Sequence, residues 1–279
     1  MPNLYQVPAN LKTDVGILVA TTKYDGILLR LLEDVSRAVD ELCHRQFYSA
    51  VATRLYGDHE RVNTASRELW LPDDLISVTT LKVDDDGDGT FETTLVSSTD
   101  YWLWPYNPPA HNPYNRIDLN PRSTLRSAWP LNRRRVQLVG KFGFSDEFES
   151  AGTLGAAISD TTGTSVTMTA GHTVLAGDTI RVDTEDLYVT VVATNTLTVT
   201  RALNGSTAAT HANAAAVTRR RYHRSIERAV LMQATRLFRD QQTGYSGAVA
   251  NAEFGGYQFS SLYPAIRDLL APLVVPAVG

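Results

Sequence analysis

The chain reads as an α+β protein: a small helical core with antiparallel β hairpins or sheet, plus an inserted all-β domain. Three observations carry that reading. First, in Lys23 to Phe47 the apolar residues Ile27, Leu28, Leu31, Leu32, Val35, Ala38, Val39 and Leu42 recur every three and four positions. Arg30, Glu33, Asp34, Arg37, Asp40 and Glu41 take the opposite face, the pattern of an amphipathic helix. Second, Tyr222 to Asp240 repeats the pattern with Ile226, Ala229, Val230, Ala234, Leu237 and Phe238, while the residues between the two stretches change to a period of two. Third, from about Ser150 to Val217 Lys, Trp, Pro and Cys vanish and Thr, Ala, Val and Gly dominate. Burying one Leu or Ile side chain is worth about 1.5–3 kcal/mol, so neither stripe stays in water. The two helices, from opposite ends of the chain, are expected to close one core.

Taken in order, residues 1–22 hold Pro2, Pro8 and Gly16 without sustained periodicity and read as an extended arm or a loosely tethered terminus. Thr21 or Thr22 is available to cap the first helix. Strands are expected at Val51 to Tyr56, Arg67 to Leu71, Ile76 to Val83, Phe91 to Val96 and Tyr101 to Trp104. A long loop with Pro105, Pro108, Pro109 and Pro113 follows, then strands at Arg116 to Leu119 and Arg135 to Phe144. Inside the Thr-rich segment, Ser165 to Thr169, Thr179 to Asp183, Leu187 to Ala193 and Thr196 to Thr200 alternate between turns at Gly171, Gly177-Asp178 and Asn204-Gly205. Residues 1–149 and 219–279 therefore form the expected main domain, and 150–218 an all-β module sprouting from one of its loops. Gln241 to Phe259 is a Gly- and Ser-rich connector, Leu262 to Leu270 has helical spacing, and Ala271 to Gly279 reads as extended.

The 279 residues are 43% hydrophobic and 20% charged, as in an ordinary globular protein, and the net charge of −4 gives no global drive toward nucleic acid. Cys43 is the single cysteine, beside the first apolar stripe, and reads as a buried inert thiol. Ile17 to Ala20 is too short for a secretory segment, so no signal peptide is expected. The apolar tail from Leu262 is broken by Pro264, Arg267, Asp268, Pro272 and Pro276, so it is no membrane anchor and is expected to dock on something.

Asp84, Asp86 and Asp88 followed by Gly89 match the first half of a calcium loop. The twelfth position is Leu95 rather than Glu and the flanks are strand-like, so a hairpin turn is the plainer reading and a weak calcium site the alternative. No other cofactor is called for. Arg133, Arg134 and Arg135, and Arg219, Arg220 and Arg221, are basic triplets that read as solvated charge or as a partner contact; no stacking aromatics accompany them. The six histidines are scattered without metal-ligand spacing, and no Walker loop, HExxH, GxSxG or GxGxxG is present, so no enzyme is expected. Tyr101, Trp102, Trp104, Tyr106 and Tyr114 form either a small core, a subunit interface or a sugar platform.

Tyr24 through Phe47, Glu68 through Val83, Arg116 to Leu119, Trp129-Pro130, Arg135 through Phe144, Ile226 through Asp240 and Leu262 to Val274 come in an order that resembles the head–tail connector, or head-completion adaptor, proteins of long-tailed bacteriophages. The ordered set carries the resemblance, which spans the main domain apart from its arm and loops. The insertion departs from it: Thr200 to Ser206 and the Ala-rich run through His211 look like a small β module recurring in virion and tail proteins. The resemblance implies a structural protein of the virion neck, assembled in the host cytoplasm. It implies a homo-oligomeric ring, usually of twelve copies, beneath a portal protein and above a stopper or tail-completion protein. DNA passes through the lumen without sequence-specific binding, and no membrane is involved. Leu262, Tyr263, Ile266, Leu269, Leu270, Leu273 and Val274 then become the expected portal contacts. Arg133, Arg134, Arg219, Arg220 and Arg221 become channel or partner contacts. The competing reading is a virion surface-binding module for glycans or calcium, built on the β insertion and the aromatic loop.

Overall fold

The computed structural model describes residues 3–57, 62–63, 67–109, 112–130, 134–242 and 262–275. Among them are four α-helices and two antiparallel sheets, of seven and six strands, so the fold is α+β. The chain divides into two units, residues 1–44, 147–203 and 207–279 in one and residues 45–146 and 204–206 in the other. No described helix is long and apolar enough to cross a membrane.

In the first unit the segment expected as an arm is folded. Helix α1 (Pro8–Val15) starts with Pro in its first turn and ends at Gly16, whose φ of 77° is the left-handed cap that glycine adopts freely. Helix α2 (Asp25–Cys43) buries Leu28, Leu32, Val35, Val39 and Cys43, and its N-cap is Tyr24 with no side-chain cap in place of the expected Thr21 or Thr22. Helix α3 (Arg224–Gln242) packs on α2 through Ile226, Ala229, Val230, Ala234 and Phe238, as the paired stripes require. Leu4, Tyr5, Val7 and Leu11 are also buried. Tyr5 donates its hydroxyl to Asp40 at 2.5 Å and its N–H to Ser36 at 3.2 Å, and Thr235 bonds Asp14 at 2.6 Å. These bonds fix the N-terminal segment on α2 and α3. Burial pushes the Tyr5 phenol well above its ordinary pKa, and the Asp40 carboxylate adds to the rise. Helix α4 (Pro264–Leu270), followed by a 3₁₀ turn at Ala271–Leu273, lies on α3.

The same unit holds β8 (Phe148–Thr153), β9 (Ser165–Thr167), β10 (Thr179–Val182), β11 (Glu185–Ala193), β12 (Thr196–Leu203) and β13 (Ala216–Arg220), in the order β8-β13-β10-β11-β12-β9. Gly155 N–H to Thr167 O and Thr169 N–H to Thr153 O join the two ends, curling the sheet toward closure. Val166, Met168, Ile180, Leu187, Val189, Leu197 and Val217 fill its own core. The sheet spans 148–220, where 150–218 was expected. The expected grouping set the helices with the earlier strands, whereas the contacts place them with this sheet. Thr179 bonds Asn3, the Tyr5 and Tyr222 rings meet at 4.7 Å, and a Cβ on Gly177 would stand 2.9 Å from Pro8.

The second unit is the antiparallel sheet expected from the period of two. It comprises β1 (Ala50–Tyr56), β2 (Val62–Asn63), β3 (Glu68–Val83), β4 (Thr93–Leu95), β5 (Tyr101–Trp104), β6 (Tyr114–Leu119) and β7 (Val136–Phe142). Its order is β1-β7-β3-β6-β5, with β2 and β4 added on β3. Two strands were expected where β3 is one. Pro72 lacks an N–H, and it falls in the break of the β3–β6 register between Trp70 and Leu75, ahead of the β7 pairing that begins at Leu75, so no ladder bond is lost. Leu69, Leu75, Leu81, Ile117, Trp129, Val136 and Leu138 form the core of this unit.

Candidate functional site

Exposed aromatic side chains gather on one face of β3, β6 and β5. Alternation turns Leu69, Leu71, Ile117, Leu119 and Tyr101 into the core, which leaves Trp70, Arg116, Asp118, Trp102 and Trp104 on the other side. Register then sets Arg116 opposite both Trp70 and Trp104, and Asp118 opposite both Glu68 and Trp102. The Arg116 guanidinium lies 5.0 Å from the Trp70 ring and 4.5 Å from the Trp104 ring. It holds Asp118 through Nε at 2.7 Å and Nη2 at 2.9 Å, and Glu68 through Nη1 at 3.2 Å. Tyr106 donates its hydroxyl to Asp118 at 3.0 Å, and its ring stands at 85° to Trp104 and 87° to Trp102. Trp70 is 43% exposed, Trp102 and Trp104 36% each, and Tyr106 52%.

Of the five aromatics singled out in the sequence, the structure brings Trp102, Trp104 and Tyr106 together on this face. Tyr101 is buried and Tyr114 packs partly on the core. Trp70, Arg116 and Glu68 were missed, although each sits at the outward phase of an expected strand. Tyr106 stands nearly perpendicular to both Trp102 and Trp104, which makes this part of the face corrugated rather than a flat stacking platform. These residue types dominate binding energy at protein interfaces.

The Asp84 turn is the hairpin between β3 and β4. It brings carboxylate oxygens of Asp84, Asp86, Asp88 and Glu92 within 4.8 Å of one another. Most of their acceptor capacity serves the turn itself: Asp84 takes the N–H groups of Gly87 and Gly89, Asp86 that of Asp88, Asp88 that of Thr90, and Glu92 that of Asp85. Arg135 lies 3.7 Å from Asp84 and donates to its carbonyl, so a counter-charge is already in place. The Thr90 N–H and hydroxyl hold the exposed Asp88 carboxyl below its ordinary pKa.

Arg135, Arg219, Arg220 and Arg221 are not bare charge. Arg133 lies outside the described residues, and Arg134 is exposed. Arg220 is 1% exposed and pairs with Asp186 at 2.6 Å, so its guanidinium is withdrawn from the surface of this chain. Arg219 pairs with Glu149, and Arg221 with Glu149 and Glu227 at 3.5 Å each. Arg219 and Arg221 line a groove of about 210 Å³ beside Gln6, Asn10 and Asp178. Burial raises the Asp178 carboxyl to about 6, against the opposing pull of the Leu175 N–H and Arg219.

The tail also departs from expectation. Leu262, Ile266 and Leu270 are buried against the chain's own helices, Leu269 and Leu273 are half-buried, and Tyr263 and Val274 are exposed. Tyr263 donates its N–H to Gln233 and Arg236 covers its ring at 5.0 Å, while Val275 N–H reaches Cys43 O.

One buried cluster has the residue types of a catalytic site. His211 contacts Asp183 at 2.7 Å and Glu185 at 2.8 Å, and Arg201 grips Glu185 through two nitrogens. Both imidazole nitrogens are occupied by carboxylates, which leaves neither to take a proton from a nucleophile. The cluster clamps the segment around 209–211 to β11 and β12. Comparison of the chain with family models, with curated proteins and with solved structures found no match.

Proposed function

We propose that the chain is a structural adaptor of a phage neck, a ring-forming head–tail connector that lengthens the portal channel and offers a platform for a stopper or tail-completion protein. The observation that carries this is the exposed Trp70–Arg116–Trp104 face with Trp102 and Tyr106. It is preorganised by Arg116 and its carboxylates, unused by the core beneath it, and made of interface residue types. The helical part built from the two ends of the chain agrees with the resemblance in segment order. Arginines already neutralised by Glu149, Asp186 and Glu227 suit a conduit that must not grip DNA.

Burial narrows the portal contact to the tail residues that remain accessible, Tyr263, Leu269, Leu273 and Val274. Negative-stain imaging of the purified protein mixed with portal tests the reading. Annular density capping the portal is the expected result; a protein that stays monomeric and leaves the portal bare overturns it. Tyr263→Ala combined with Val274→Asp is expected to abolish attachment to portal-bearing heads at an unchanged melting temperature.

A further inference from the structure

The turn between α1 and α2 presents a second unsatisfied surface, in the other unit. Leu18 is 79% exposed and its neighbour Val19 54%. This is no loose tip. Ile17 N–H bonds Lys12 O at 2.8 Å and Thr21 N–H bonds Leu18 O at 2.9 Å. Lys12, only 4% exposed, donates its ammonium to Val19 O at 2.9 Å while pairing with Asp25 at 2.5 Å. A buried lysine is thus spent on fixing a turn whose projecting side chains are apolar. Two adjacent aliphatic groups held outward gain nothing for the folded chain, since each forfeits its share of apolar burial.

We propose that Leu18 and Val19 of one copy seat on the Trp70–Trp102–Trp104–Tyr106 face of the next copy. The corrugation left by perpendicular rings admits short aliphatic side chains and offers no single plane to a sugar ring. Charge matches as well. The face carries Glu68 and Asp118 against Arg116, a net negative charge, and at the turn Asp25 is neutralised by Lys12, which leaves the charge of the exposed Lys23. Because the two surfaces are unlike, the contact is head-to-tail and each copy keeps one free knob and one free face until the assembly closes. The inference rests on the adaptor reading for the premise that copies meet, and adds which surfaces do so.

Disulfide trapping on the full chain tests it. The native Cys43 is buried and stays silent. A double variant, Leu18→Cys with Trp102→Cys, is oxidised gently at high concentration and again after mixing with portal-bearing heads. The expected result is a ladder of linked multimers from the double variant and none from either single variant. A 1:1 mixture of the single variants gives only a dimer, with the link mapped to positions 18 and 102. Because both positions are exposed, melting curves should stay within a degree or two of the parent, and Leu18→Asp with Val19→Asp should abolish multimers without lowering the melt. Rings seen by imaging with no 18–102 link overturn this contact and leave the adaptor reading standing; absence of any multimer in either setting overturns both. Oligosaccharide binding lost on Trp102→Ala, in a protein that remains multimeric, reassigns the face to glycans and overturns the proposal.

Discussion

Glu185→Gln removes a charge from the interior of the six-stranded sheet. Glu185 is fully buried and accepts from Arg201 Nε at 2.9 Å and Nη2 at 2.6 Å, from Ala202 N–H at 3.2 Å and from Ala209 N–H at 3.0 Å, beside His211. Burial pushes its carboxyl up, but the hydrogen bonds of Arg201, His211 and Ala209 and the Arg201 charge outweigh it and hold the pKa at about 2 against an ordinary 4.5. That difference is equivalent to about 3 kcal/mol. Stripping one partner from a buried ion pair independently gives about 3–5 kcal/mol. A depressed acid stabilises the fold fully above its unfolded pKa and loses that contribution as pH falls. The gap between parent and variant should therefore be constant from neutral pH to about 4.5 and shrink toward zero near pH 2. Urea titrations followed by amide exchange in 187–203 read the effect. All four tryptophans lie between 45 and 146, so their fluorescence follows the other unit and serves as the control. A variant within about 0.5 kcal/mol of the parent at neutral pH, or a gap that ignores pH, refutes the reasoning.

Asp178→Asn should act in the opposite sense. Asp178 is raised from 3.8 to about 6, so its ionised form weakens the fold above pH 6 and the penalty disappears as pH falls toward 3.8. Asn keeps an acceptor for Leu175 N–H, so the variant should gain up to about 3 kcal/mol at neutral pH and nothing near pH 3.8, measured by urea titration at both. Gly140→Ala sets a Cβ 2.3 Å from the backbone oxygen of Ser77 across the β3–β7 pair and should lower stability by roughly 3 kcal/mol or more in the tryptophan-monitored transition. Gly26→Ala, where a Cβ meets nothing within 4 Å, should instead stabilise α2 by about 0.5–1 kcal/mol.

What could be read beforehand depended on whether the cause was local. The periodicities of α2 and α3 are local, so both helices were foreseen, and the Asn204-Gly205 turn has the positive φ at both residues that its sequence promises. Helix α1 carried a signal too, Pro at its start and Gly just past its end, but with one turn and a half of apolar pattern the two residues looked like breakers instead of caps. Strands β8 and β13 lack clean alternation and are held by pairing to each other across 70 residues of sequence. The candidate face is non-local throughout. Trp70, Trp104 and Arg116 meet only because β6 lies between β3 and β5, and no spacing in the sequence announces it. The partners of the Arg219–Arg221 triplet were equally hidden, since Asp186 and Glu149 come from distant strands.

An apolar stripe states that a partner is needed and is silent about whose. Leu4, Tyr5 and Leu11 at one end, and Leu262, Ile266 and Leu270 at the other, are satisfied by the chain's own α2 and α3. A neighbour using the buried face of the tail has first to peel α4 from α3, which forfeits the burial of three large side chains, roughly 5–9 kcal/mol before any new contact forms. The Leu18–Val19 turn and the Trp70–Trp104 face need no such release, because Lys12 and Arg116 already hold them in place. For the ring proposed above, assembly through standing surfaces is therefore favoured over exchange of the terminal helices between copies.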